Sequence, residues 1–241
     1  MIRKLKSFIY WLLPDRVLWL LLLQILPKIV DFTAKYGQGL APLWAQNNSF
    51  MQKYNKVKKT ILLDKKRAFV LYNFVKHCSN LKGDFAEVGV YKGGSTKLIS
   101  LSNKFKKNIY AFDTFEGFPK LDKQKNAGWE EGQLKASYQE VNDAINDENV
   151  KFIKGIFPAT AKELSQQLVF SFVHLDTDLY EGTIDGCRFF FDRMVKGGVL
   201  LVDDYGLLSC QGVKQAIDEF FFPRNEQPIY LPSGQCFIIK Q

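Results

Sequence analysis

Glu87-Val-Gly89-Val-Tyr91-Lys-Gly93-Gly94-Ser95-Thr96 is the stretch on which the fold turns. It follows a short apolar run, Asp84-Phe-Ala-Glu-Val88, and opens into Ser95–Ser102, which reads as a helix. A strand, a glycine turn and a helix in that order form the first unit of an open α/β sheet. Gly89, Gly93 and Gly94 allow close backbone approach, and the amides that open the helix suit an anionic group. The loop is not G-x-G-x-x-G, because position 91 is tyrosine, and no Gly-Lys-Ser/Thr of a phosphate loop is present.

The same alternation continues outward. Asn108-Ile-Tyr-Ala-Phe112 ends in Asp113, Val150–Ile153 ends in Lys154-Gly155, and Leu168–Leu175 ends in Asp176. A helical stretch from about Tyr180 to Val195 follows, then Val199–Val202 ending in Asp203-Asp204, then a helix over Val213–Phe222. Upstream, Ala68, Leu71, Tyr72 and Val75 keep helical spacing from Asp64 to near His77. Near-continuous apolar strands imply a mostly parallel sheet covered on both faces. Pro228–Lys240, with Ser233-Gly234 between two apolar runs, reads as an antiparallel terminal hairpin. The expectation is a Rossmann-like α/β fold of seven strands with ligands at the carboxyl ends of its strands.

Composition narrows the chemistry. The 241 residues, 46% hydrophobic and 24% charged, suit one globular domain with an appendage. Cys78, Cys187, Cys210 and Cys236 form no C-x-x-C pair, and His77 and His174 are the only histidines, which excludes zinc fingers and histidine metal centres. The net charge of +8 comes from dispersed lysines and not from a basic stripe interleaved with aromatics, so nucleic acid is not the expected partner.

Residues 1–50 are expected to form a hydrophobic and basic helical extension and loop, and 51–241 the main domain. Pro14-Asp15-Arg16 interrupts the first apolar run, and Val17–Leu26 has about half of the roughly 20 residues a spanning helix needs. Two readings of residues 1–30 stand: packing on the main domain or on a second subunit as a homo-oligomer, or lying in a membrane interface anchored by Trp11 and Trp19. The expected location is accordingly cytoplasmic, with a membrane-peripheral position as the alternative. Lys35–Asn48, with Gly37, Gly39 and Pro42, reads as a connecting loop.

Glu87 would repel a pyrophosphate but suits a cofactor bearing an ammonium and a sulfonium. Asp113, at the next strand end, is placed to accept both ribose hydroxyls. S-adenosylmethionine fits this pair better than a dinucleotide. His174-Leu-Asp176-Thr-Asp178 and Asp203-Asp204 bring four carboxylates to neighbouring strand ends. At about 4 Å and an effective dielectric near 20, each like-charged pair costs roughly 4 kcal/mol. A divalent cation with oxygen ligands is the simplest offset, and it lowers the pKa of a hydroxyl it binds.

These motifs resemble the macrocin O-methyltransferase family, Mg²⁺-dependent class I methyltransferases acting on sugar hydroxyls of natural products. The resemblance runs from about Gly83 to Phe220. It is carried by Ala86-Glu87-Val-Gly89-Val-Tyr91-Lys-Gly93-Gly94-Ser95, Phe112-Asp113-Thr-Phe115-Glu116-Gly117-Phe118-Pro119, Leu175-Asp176-Thr-Asp178-Leu-Tyr180-Glu181-Gly-Thr183 and Val202-Asp203-Asp204-Tyr205-Gly206. It implies cofactor contacts from Glu87, Tyr91, Ser95 and Asp113 beside the turn glycines Gly89 and Gly93. It also implies metal ligation by Asp176, Asp203 and Asp204, with Asp178 as general base. Phe115–Tyr138 corresponds to the family's lid, while Thr177 stands where many members have glycine. The expected acceptor is a hydroxyl of a saccharide or glycosylated small molecule. Alternatives from other classes are a catechol-type acceptor and a membrane-surface binding protein that keeps the fold without catalysis.

Overall fold

The computed structural model describes residues 42–241. The readings of residues 1–30 therefore lie outside the described residues. A single helical turn, α1 (Leu43–Gln46), follows Pro42 within the stretch expected to be loop. The remainder, from Ser49 on, forms one unit.

Helix α2 (Asn48–Val57) buries Phe50 and Val57. Phe50 meets Phe69 edge-on at 5.0 Å and Tyr72 at 5.5 Å on α3 (Lys65–Cys78). The α3 spacing works as read from the sequence: Ala68, Leu71, Tyr72, Val75 and Cys78 are its buried residues. Asp64 caps it, its carboxylate accepting the Lys66 and Arg67 amides at 2.7 and 3.0 Å.

Five strands then alternate with helices: β1 (Asp84–Val88), α4 (Gly94–Ser102), β2 (Ile109–Asp113), α5 (Tyr138–Ile145), β3 (Val150–Lys154), β4 (Phe170–Leu175), α6 (Tyr180–Phe190), β5 (Met194–Val202) and α7 (Gln211–Phe221). The hairpin is β6 (Ile229–Tyr230) and β7 (Cys236–Ile239). The sheet order is β3-β2-β1-β4-β5-β7-β6. The first five strands run parallel, and β7 is antiparallel to β5 and β6. All six residues of β4 are buried, as a strand flanked on both sides and covered on both faces requires. Phe112, Phe170, Phe190, Phe191 and Phe221 fill the adjoining core largely through edge-to-face contacts, such as Phe170–Phe190 at 5.0 Å.

The helix expected to run to Val195 ends at Phe190. A 3₁₀ turn over Phe191–Arg193 follows, and Met194 and Val195 already belong to β5. The apolar residues Phe189–Phe191 and Met194-Val195, on either side of Asp192-Arg193, suit helix and strand alike, so spacing alone does not fix the change.

The connection after β1 leads to β2 on one side, whereas β4 lies on the other. This is the reversal point at which open α/β sheets bind ligands.

Candidate active site

Beyond Val88 the loop passes so close to the end of β4 that a Cβ on Gly89 (φ +93°) would lie 1.8 Å from the Asp176 carbonyl oxygen. Only glycine fits there. The strand tips stay tied beyond the regular ladder: the Gly89 amide donates to the Phe112 carbonyl, Asp176 to Val88 and Asp203 to Leu175, each at 2.9 Å. Helix α4 begins after Gly93 (φ +75°) with no side-chain cap, which leaves its first amides available to an anion.

Asp113 holds this turn together. One carboxylate oxygen accepts the Val90 and Tyr91 amides at 2.7 and 2.8 Å, and the other accepts the Phe115 amide at 2.7 Å. Tyr91 (φ +49°) and Phe115 (φ +57°) both adopt the left-handed region that non-glycine residues rarely occupy. Asp178 does too, at φ +58°. Two of these, Tyr91 and Asp178, line one cavity, and such strained residues mark backbone held by its surroundings.

That cavity measures about 730 Å³. Gly89, Tyr91, Gly94, Ser95 and Asp113 line it together with Asp176, Asp178 and Asp204. Phe118, Leu121, Trp129 and Leu134, from the stretch 114–137 that has no regular helix or strand, supply apolar wall. Gly93 and Asp203 sit behind the lining. Glu87 is also behind it, fully buried, with the Thr96 hydroxyl donating to one carboxylate oxygen and His174 Nδ1 2.9 Å from the other.

Oxygens of Asp176, Asp203 and Asp204 lie within 4.8 Å of one another, and Asp178, Asp204 and Cys210 form a second group of the same span. Asp176 and Asp178 face the cavity, yet they lie deep enough that loss of bulk water dominates their chemistry. Burial, reinforced by the Asp203 and Asp204 charges, raises the Asp176 carboxyl well above the usual range. Burial likewise pushes Asp204 up to about 8 and Asp178 up to about 6, with the Asp203 charge adding to each.

Two cations meet these carboxyl groups, and sequence reasoning assigned neither a role. His174 is enclosed between Glu87 and Asp203, with Nε2 3.7 Å from Asp203 Oδ1. Burial alone would lower its pKa; the two carboxylates reverse this and raise it to about 10. Arg67, from the first turn of α3, pairs with Asp203 and reaches Asp204 Oδ1 at 3.3 Å. Gln235, from the hairpin, donates to Asp203 Oδ1 at 2.7 Å. His174 had a signal, its place two residues before Asp176 on a largely apolar strand. Arg67 had none, because helical spacing says only that it adjoins the buried stripe.

Among the described residues the carboxyl groups outnumber these cations: Glu87, Asp176, Asp178, Asp203 and Asp204 stand against Arg67 and His174. Asp204 Oδ2 is buried with no hydrogen-bond partner among the described residues. An unpartnered acceptor within an unbalanced group of oxygens fits a hard divalent cation.

The strand order, the glycine turn at the reversal point and the acidic residues ending β2, β4 and β5 define a class I methyltransferase fold. Residues 62–234 match the macrocin-O-methyltransferase (TylF) family, and the chain belongs to it. It is 28% identical over 158 residues to demethyldecarbamoylnovobiocin O-methyltransferase of Streptomyces niveus, a match covering 59% of each chain. It is 26% identical over 145 residues to 8-demethyl-8-(2,3-dimethoxy-alpha-L-rhamnosyl)-tetracenomycin-C 4'-O-methyltransferase of Streptomyces olivaceus, covering 54% of this chain and 55% of that one. The chain thus spans a little over half the length of these curated relatives. Among solved structures, the O-methyltransferase NovP superposes with a TM-score of 0.65 at 24% identity, covering 76% of this chain and 82% of that one.

Proposed function

We propose that this chain transfers a methyl group from S-adenosylmethionine to a hydroxyl of a sugar or glycosylated small molecule, with Mg²⁺ held at the acidic cluster. The observation that carries the reading is that one and the same cavity is lined by the Gly89–Ser95 turn with Asp113 and by Asp176, Asp178 and Asp204. Donor and acceptor chemistry would meet there without either leaving the fold. The family and the relatives' names support the reaction, and the rhamnosyl group in one name supports a saccharide acceptor.

When bound, the donor supplies an electrophilic methyl on a sulfonium, and a divalent ion on Asp176, Asp203 and Asp204 supplies a Lewis acid that makes a hydroxyl easier to deprotonate. This chain's own residues do the rest. The glycine turn admits the donor's polar end against uncapped helix amides. Asp113 fixes that turn through three amides and retains one acceptor site, on Oδ1, for a ribose hydroxyl. Glu87 contributes negative charge behind the turn, favourable to ammonium and sulfonium alike. Phe118, Leu121, Trp129 and Leu134 exclude water, which strengthens each of these electrostatic contacts. Asp178, on the cavity wall beside the acidic cluster, takes the hydroxyl proton as the oxygen attacks the methyl carbon and the carbon–sulfur bond breaks.

The test is methyl transfer from labelled donor by the full chain across free sugars, glycosides and catechols, with Mg²⁺ or with EDTA. The expected result is label on a sugar hydroxyl, lost in EDTA and restored by Mg²⁺. Label on catechols alone would overturn the acceptor class, and turnover indifferent to EDTA would overturn the metal.

A further inference from the structure

Arg67 approaches the acidic cluster from outside the strand pattern that builds it. It stands in the first turn of α3, its amide held by the Asp64 cap, and its guanidinium pairs with Asp203 and reaches Asp204 at 3.3 Å. Its side chain is 17% exposed, and it lines the cavity with Asp176, Asp178 and Asp204. Asp203 is thereby occupied on both oxygens, by Arg67 on one and Gln235 on the other. Among the described residues Asp204 is engaged only on Oδ1, leaving Oδ2 bare.

We infer that Arg67 is the resident counter-cation of this cluster, and that a divalent ion binds in competition with it, so that Arg67 sets the metal affinity of the site. The inference rests on the magnesium reading above. A guanidinium is never deprotonated in this setting, so it cannot yield by losing its charge. Arg67 holds one oxygen of Asp203 and one of Asp204, two of the three residues that would hold the ion, and positive charges brought so close repel. Arg67 must therefore release at least one aspartate when the ion arrives. In the metal-free protein the same contact ties Asp203 to Asp204.

The experiment is calorimetric titration of full-length protein with MgCl₂, comparing wild type, Arg67→Gln and Arg67→Lys, alongside melting in EDTA. Removing the charge should tighten Mg²⁺ binding by about tenfold or more, and should lower the melting temperature in EDTA more than in Mg²⁺. Arg67→Lys keeps the charge and should stay within about threefold of wild type. Unchanged or weaker Mg²⁺ binding by Arg67→Gln overturns the inference while leaving the magnesium reading intact. Wild-type protein that binds no Mg²⁺ overturns both. Should Arg67→Gln not fold, wild-type crystals soaked in MnCl₂ decide: Arg67 withdrawn from Asp203 or Asp204 is expected, and a guanidinium still on both beside the bound ion refutes competition.

Discussion

Replacing Gly89 with alanine tests how tightly the donor turn is locked to the acidic strand. The added Cβ would stand 1.8 Å from the Asp176 carbonyl oxygen and 2.7 Å from its carbon. Contacts below 3.0 Å do not persist, so the two strand tips must separate by about an ångström, and both are backbone, which cannot rotate aside. The residue also sits at φ +93°, where a side chain costs about 1–2 kcal/mol. Overpacking between buried strands adds about 1–3 kcal/mol, for a total of about 2–5 kcal/mol. Gly132 provides the matched control, since it has φ +78° but nothing within 4 Å of its Cβ position. Gly132→Ala should show the backbone cost alone, about 1–2 kcal/mol. The assay is urea unfolding followed by circular dichroism, with S-adenosylhomocysteine titrated calorimetrically into each folded variant. Gly89→Ala should lose more stability than Gly132→Ala and should lose donor-product affinity. Equal destabilisation by the two, with product binding intact in Gly89→Ala, would refute the proposed contact.

Other outcomes follow from the same geometry. Asp178→Asn should reduce kcat by about 10²–10⁴-fold while leaving S-adenosylhomocysteine affinity near wild type, as expected for loss of a general base. In metal-free buffer the Asp178 and Asp204 carboxyls should make the protein less stable as pH rises from about 4 to about 8, with Asp178 contributing only up to about 6. Asp178 and Asp204 are raised to about 6 and about 8, so the folded state holds protons that the unfolded chain has released, and the stability due to them is lost through those values. Melting temperatures in EDTA should show that decline, and saturating Mg²⁺ should flatten it. All four cysteines are buried, with burial pushing Cys78 and Cys210 up to about 12 and Cys187 and Cys236 higher still. A thiol reagent at pH 8 should react slowly with the folded protein and rapidly after unfolding.

What the sequence revealed and what it concealed divide along physical lines. Strand β1 occupies the expected Asp84–Val88, and α4 begins one residue earlier than read, because an apolar run ending at a glycine turn has few alternatives. The aspartates of β4 and β5 were legible as neighbours because strands joined by one helix pair side by side, which β4 and β5 do. Asp113 was legible in place, but its hold on the Val90, Tyr91 and Phe115 amides depends on loop geometry that spacing does not carry. Glu87 shows the same limit. Its position in the motif gives its neighbourhood, whereas its bonds to Thr96 and His174 depend on which way a buried strand residue points. Arg67 lies farthest beyond reach, meeting Asp203 across 136 positions of sequence through a helix that belongs to no βα unit. Long-range pairing of that kind is fixed by packing and leaves no local pattern.

The most direct measurement is a crystal structure of the full chain with S-adenosylhomocysteine and Mn²⁺, the ion placed by its anomalous scattering. The nucleoside should lie against Gly89–Ser95 and Asp113, with a manganese peak among Asp176, Asp203 and Asp204 in the same cavity. A nucleoside bound elsewhere, or an ion remote from these aspartates, would contradict the claim that one cavity at the sheet's reversal point brings donor and hydroxyl together.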